Sequence, residues 1–169
     1  LDKTTAEERK SIGLLIPERN FTPDLKWAKD FVKENDLLDN VRFIRGNYDH
    51  GLSRSEMIDI FSISDLVMDD FGAGWYGSVV VEALSCGVPV VSYVPKELLN
   101  KMFPWHPIQI AKEPSEICQQ LLKCYRDPRF LKSISIKSRQ WATEFHSNET
   151  IKNRLEIKLS NFYNTLSNE

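Results

Sequence analysis

Short apolar runs alternate along this chain with longer stretches in which apolar residues recur every three or four positions. The runs are Ile12–Ile16, Val41–Ile44, Leu66–Asp69, Val88–Tyr93 and Ile108–Ile110, each bounded by Gly, Pro, Asn, Asp or charged residues. Their length and borders predict strands. Between them, Leu25, Ala28, Phe31 and Val32 with Leu37 and Leu38, then Met57, Ile60 and Phe61, then Ile117, Leu121, Leu122 and Tyr125 keep helical spacing. So do Ile151, Leu155, Leu159 and Phe162 near the end, on one side of a last helix. Start signals agree with these spans: Thr22-Pro23, Ser53 with Glu56 three residues on, Asp127-Pro128, and Ser147 or Asn148. Pro17 is expected to stop the first strand. Strands alternating with helices predict right-handed βαβ crossovers, hence an α/β fold with an open parallel sheet of five or six strands flanked by helices.

The stretch from Asp65 to Tyr93 organises the rest. It reads as a strand, a loop Phe71-Gly72-Ala73-Gly74-Trp75-Tyr76-Gly77, a helix capped by Ser78 and ended by Gly87, and a strand, Val88-Pro89-Val90-Val91, apolar enough to be covered on both faces. Ligands of open parallel sheets sit beyond the carboxyl ends of the strands, which places a crevice at Asp70 to Ser78. Free amides of Gly77, Ser78 and Val79 would meet a phosphate at the positive end of the helix. Glu82 is a carboxylate inside Val79-Val80-Val81 and Ala83-Leu84. It would hold adjacent ribose hydroxyls or a structural partner. Trp75 and Tyr76 would cover a sugar or base, or plug the end of the sheet; Phe103, Trp105 and His106 form a second aromatic loop with the same two readings.

Other chemistry has little support in the pattern. Asp69 and Asp70 are neighbours in a strand and point to opposite faces, so no metal site is expected. His50, His106 and His146 lie in separate segments, and neither a GxGxxG fingerprint nor a P-loop is present. A formal charge of −2 does not call for nucleic acid as a partner. The length of 169 residues suits one domain, 1–169, with terminal helices over 128–169. Cys86, Cys118 and Cys124 form no paired spacing, so a reducing, cytoplasmic setting is expected. A mild basic excess from Arg129 to Lys158 marks either solvated helix faces or an anionic membrane surface. The first strand lacks the strand–turn–helix that opens such domains, and the terminal helices exceed what a five-stranded sheet needs. Both features lead us to expect a piece cut from a two-domain enzyme.

The segment GWYGSVVVEALSCGVPVVS resembles the C-terminal donor-binding domain of retaining glycosyltransferases of the GT-B fold, family 4 or glycosyl transferases group 1. Their pattern E-G-F-G-x-x-x-x-E-A-x-x-x-G-x-P-V follows a strand beginning with Asp; here Asp65, Gly77, Glu82, Ala83, Gly87, Pro89 and Val90 stand in register. VRFIRG at Val41–Gly46 and the helix from Glu56 to Phe61 are similar as well, so the likeness runs from Ile12 to about Phe145. The resemblance implies a Rossmann-like half of a two-domain hexosyltransferase, binding a nucleotide diphosphate sugar as co-substrate with no further cofactor. It would transfer the sugar with retention to a hydroxyl acceptor. Glu82 would hold the ribose, Gly77, Ser78 and Val79 the diphosphate, and Gly46-Asn47 would lie beside the base. Gly74, eight residues before Glu82, stands where the family has a first glutamate on the transferred sugar, and Tyr76 completes the donor loop. No catalytic residue is expected in this part. The acceptor site would belong to an N-terminal domain, the fragment would be inactive alone, and a lipid-linked acceptor would bring the protein to the inner face of the membrane. Two further readings stay open: a non-catalytic transferase-like subunit, suggested by Gly74, and a nucleotide-sugar epimerase of the same fold.

Overall fold

A computed structural model describes residues 4–18, 23–46 and 51–166. The chain divides into two compact units, 1–60 and 61–169. In the first, α1 (Ala6–Ser11) leads into β1 (Leu14–Glu18), α2 (Pro23–Glu34) into β2 (Val41–Arg45), and α3 (Arg54–Ser62) begins. β1 and β2 are parallel, from Leu14 opposite Val41 to Glu18 opposite Arg45. Thr5 forms a capping box with Glu8, and Ser53 one with Glu56, whose carboxylate accepts from the Ser53 amide at 2.7 Å. Asn40 ties α1 to the start of the ladder by donating to the carbonyls of Arg9 at 2.6 Å and Ile12 at 2.8 Å. The proposed Thr22 cap falls outside the described residues, but Pro23 does occupy the first helical position. Pro17 does not stop β1; it pairs with Ile44 inside it. Its missing N–H is tolerated because a strand paired on one side needs donors only on alternate residues.

The second unit contains β3 (Val67–Met68), α4 (Ser78–Ser85), β4 (Val90–Ser92), α5 (Lys96–Met102), β5 (Gln109–Ile110), α6 (Pro114–Arg126), α7 (Pro128–His146) and α8 (Asn148–Leu166). β4 lies between β3 and β5, with both pairings parallel: Val67 faces Val90, Met68 faces Val91, Val91 faces Gln109 and Ser92 faces Ile110. The five expected strands and their parallel sense are therefore present, and the protein is α/β with helices flanking the strands. They form a sheet of two strands and a sheet of three rather than one, and β3 to β5 are shorter than their apolar runs. Val88 and Val94 lie outside the ladder although both are buried, because apolar character reports burial and not pairing.

Helix ends explain how α4 is placed. Gly87 has φ +79°, its amide donates to Leu84 at 3.0 Å, and that of Val88 donates to Ala83 at 2.9 Å. These two bonds form a Schellman cap, which turns the chain straight into β4. Ser135 on α7 donates to the Gly87 carbonyl at 2.6 Å, and Arg139 to that of Ser85, so α7 is stitched to the same turn. Val80, Ala83 and Leu84 of α4, all of β4, and Ile134, Trp141 and Phe145 of α7 make the buried centre.

Trp141 is wholly enclosed, with ring centroids 4.9 Å from Phe103, 5.8 Å from Tyr76 and 4.5 Å from His146. α8 differs from expectation: Ile151, Leu155, Leu159 and Phe162 share a side, yet Leu155 and Phe162 are 54% and 59% exposed. Since α4 and α6 already lie against β4 and α7 packs on those helices, α8 is left to touch α7 near its beginning, where Arg154 lies over the Phe145 ring. Among the described residues no helix is long and apolar enough to cross a membrane.

Replacing Trp141 by Ala removes the ring on which Tyr76, Phe103 and His146 converge. A loss of about 3–5 kcal/mol is expected in urea denaturation, against less than about 0.5 kcal/mol for the exposed Leu155→Ala.

Candidate functional site

The loop from Asp70 to Gly77 leaves the carboxyl end of β3 and delivers the chain to the amino end of α4. Its beginning is fixed by Asp70, at φ +40°. The Asp70 carbonyl accepts from the Tyr93 amide at 3.0 Å and the Ser92 hydroxyl at 3.1 Å, extending the β3–β4 ladder by one step. Its carboxylate turns the other way and accepts from the amides of Gly72 and Ala73, each at 2.9 Å. Those bonds, Ala73 first and Gly72 second, hold the Asp70 carboxyl below its ordinary range. Asp70 is thus spent on shaping the loop rather than free to replace a missing acid; the pattern of two adjacent acids did not reveal this.

The far end of the loop is fixed by Tyr76. Only 7% exposed, its ring meets Trp141 and His146 edge-on and stacks under Trp75 at 5.0 Å with 16° between planes. Burial therefore assigns the Tyr76 ring to packing, and what it can offer a ligand is backbone. His146, in the same cluster, has its pKa lowered by burial and secondarily by the Arg154 charge, and its Nε2 is enclosed without a partner. His106 is lowered mainly by burial as well.

Gly74 has φ +71°, a conformation that L side chains rarely adopt, although a Cβ there would meet only Tyr93 and Pro95 at ordinary distances of 3.6 and 3.7 Å. Glycine at this position is set by the backbone path of the loop. Gly77 is the reverse case. It, and not Ser78, is the N-cap of α4, with φ −95° and ψ −171° and no side-chain cap bond. A Cβ on it would have nothing within 4 Å. Neither backbone nor packing demands glycine there.

Beyond it, Ser78, Val79 and Val80 are the first residues of α4, whose amides have no acceptor within the helix and carry the positive end of its dipole. On a helical wheel Val80, Ala83 and Leu84 face inward, while Ser78 and Glu82, one turn apart, stand on the opposite side. Glu82 is half-buried there. The second unit thus brings Gly74, Tyr76, Gly77, Ser78, Val79 and Glu82 onto one loop and the helix it opens. Gly46 belongs to the first unit. A Cβ on it would collide with the Gly51 carbonyl and lie 2.8 Å from the Leu52 Cα, so its glycine serves a close chain crossing. Asn47 lies outside the described residues.

Comparison with known proteins bears on the fold. No family model matches the chain, and no curated protein does. Solved structures do. The chain is similar to Anabaena HepE in complex with UDP-glucose, with a TM-score of 0.63 at 20% identity over 81% of this chain and 36% of that one. It is also similar to sucrose-phosphate synthase from Thermosynechococcus elongatus, with a TM-score of 0.67 at 17% identity over 90% of this chain and 38% of that one. The fold is that of a GT-B half-domain. The chain spans little more than a third of the length of these solved proteins.

Elsewhere, a depression of about 240 Å³ lies near the amino ends of β3 and β4, with Asp65, Gly87, Pro89 and Lys132 in its lining. None of the loop or α4 residues named above lines it, and it lies at the opposite end of the strands. Among the described residues no group of three or more His, Cys, Asp or Glu side chains could hold a metal ion.

Two substitutions test this local account. At Gly74 an alanine is expected to cost roughly 1 kcal/mol in chemical denaturation because of the positive φ alone. For Asp70 the sign follows from its lowered pKa. The carboxylate stabilises the fold fully above the unfolded carboxylate range and loses that contribution as the pH falls through the lowered value. Asp70→Ala is therefore expected to flatten the acid side of the melting-temperature profile below about pH 4 and to leave the neutral-to-alkaline slope unchanged.

Proposed function

We propose that this chain is the donor half of a glycosyltransferase, binding a nucleotide diphosphate sugar with its diphosphate on the α4 amides and its ribose on Glu82. The observation that carries the reading is Gly77: a glycine at the mouth of α4 that its own fold does not require, facing open space in front of unpaired amides. A side chain would occupy the volume in which a phosphate approaches backbone N–H groups. Glu82 supports it, since it stands one turn along the same outer side of α4 as Ser78 and its two oxygens suit a pair of vicinal hydroxyls. Further support is that the same fold occurs in HepE, which is solved with UDP and with UDP-glucose.

In such a transfer the bond from the sugar's anomeric carbon to the β-phosphate oxygen breaks, and the nucleoside diphosphate leaves with increased negative charge. Amides of Ser78 and Val79 at a fixed helix end stabilise that charge without reorganising. Transfer with retention to a hydroxyl acceptor, a hexose as the group moved, and an acceptor-binding partner domain complete the proposal, and with them a cytoplasmic location. The chain then supplies donor binding and needs that partner for turnover. A second reading, a transferase-like subunit without catalysis, is favoured by Gly74, whose left-handed backbone leaves no acid on the loop at that position.

The experiment is Gly77→Ala and Glu82→Ala, each titrated calorimetrically with UDP-, GDP- and ADP-glucose. Gly77→Ala is expected to weaken binding of the accepted nucleotide sugar at least about tenfold. Its unfolding free energy should change by less than about 1 kcal/mol, since the poorer cap and the stiffer unfolded chain oppose one another. Glu82→Ala should likewise lower affinity more than stability. Unchanged binding with a large loss of stability in both variants would refute the donor site.

A further inference from the structure

The loop has one large side chain that the donor site as described does not use. Trp75 is 42% exposed although it stacks on Tyr76 at 5.0 Å and 16°. Among the described residues its one ring contact is with Tyr76. Its support is rigid: Tyr76 is held edge-on by Trp141, which is wholly buried, so the stacked pair is continuous with the core. Asp70 fixes the loop at its other end through the amides of Gly72 and Ala73. An indole kept in place this way loses little conformational freedom on receiving a ligand.

Resting on the donor-site reading, we propose that Trp75 is the platform on which the transferred hexose of the nucleotide sugar stacks. Position decides between the parts of such a ligand. Trp75 precedes the N-cap Gly77 by two residues, so their Cα atoms are at most about 7.6 Å apart, and an indole spans a comparable distance. The hexose is bonded directly to the phosphate placed at that cap. The ribose and base lie beyond a second phosphate, on the side assigned to Glu82, one turn further along α4. A hexose also has a face of C–H groups that suits an aromatic plane, and Gly74 places no side chain between them. Sugar recognition here uses an apolar plane where a charged contact is missing.

The test compares the intact chain with W75A and W75F, titrating UDP-, GDP- and ADP-glucose and, separately, UDP, GDP and ADP. For the accepted base, W75A is expected to bind the nucleotide sugar about five- to tenfold more weakly and the free diphosphate within about twofold of the parent, with W75F recovering most of the difference. Equal weakening for both ligands would place the ring on the nucleotide instead, and no change for either would leave it without a binding role; each overturns the inference while the donor site stands. If the parent chain binds none of the six ligands, the donor site and the platform fall together. Unchanged far-ultraviolet dichroism in W75A excludes unfolding as the cause of a loss.

Discussion

Burial of β4 on both faces is the constraint on which the second unit depends. Val90, Val91 and Ser92 are excluded from solvent, so the strand's backbone must be satisfied by parallel neighbours and its side chains by helices. α4 and α6 provide that cover, and α7 packs in turn against both helices. A helix antiparallel to the strand it precedes must begin at the strands' carboxyl end, and the Schellman turn at Gly87 fixes that relation within three residues. The unpaired amides of α4 are consequently held beside the loop by the same packing that makes the core. Candidate site and stability share one cause, yet Gly77 and Ser78 sit at the edge of it, where change costs the fold little.

Most of this was legible in the sequence. Parallel topology followed from alternation of short apolar runs with helical spacing, and Gly87, Pro23, Ser53 and Asp127 marked their helix boundaries. Asp127 does cap α7, accepting from the Phe130 amide at 2.9 Å. What failed has physical reasons. Pro17 breaks a strand only where its N–H would be used, and strand pairing on one side alone cannot be read from composition. Helical periodicity showed that α8 has an apolar side without showing whether anything lies against it. Ser78 looked like a cap because serine usually is one, but the dihedral angles put Gly77 in that place.

Within the candidate site, residue types were easier to read than residue tasks. Glu82 is on the outer side of α4, as a carboxylate among valines should be. Asp70, by contrast, was read only as one of two adjacent acids and proved to be bound to two loop amides. Only the positive φ and the bond directions distinguish a shaping carboxylate from a reacting one. The three glycines diverge in the same way. Gly46 and Gly74 are explained by the chain's own geometry, a close crossing in one case and a left-handed residue in the other, whereas Gly77 is explained by neither.

The left-handed residue at 74 also bears on how such a loop can change. A side chain introduced there would find room beside Tyr93 and Pro95, so its cost would fall on the backbone torsion. Variation at this position is therefore limited by torsional preference and not by room, which leaves the two amides held by Asp70 as the part of the loop least open to change.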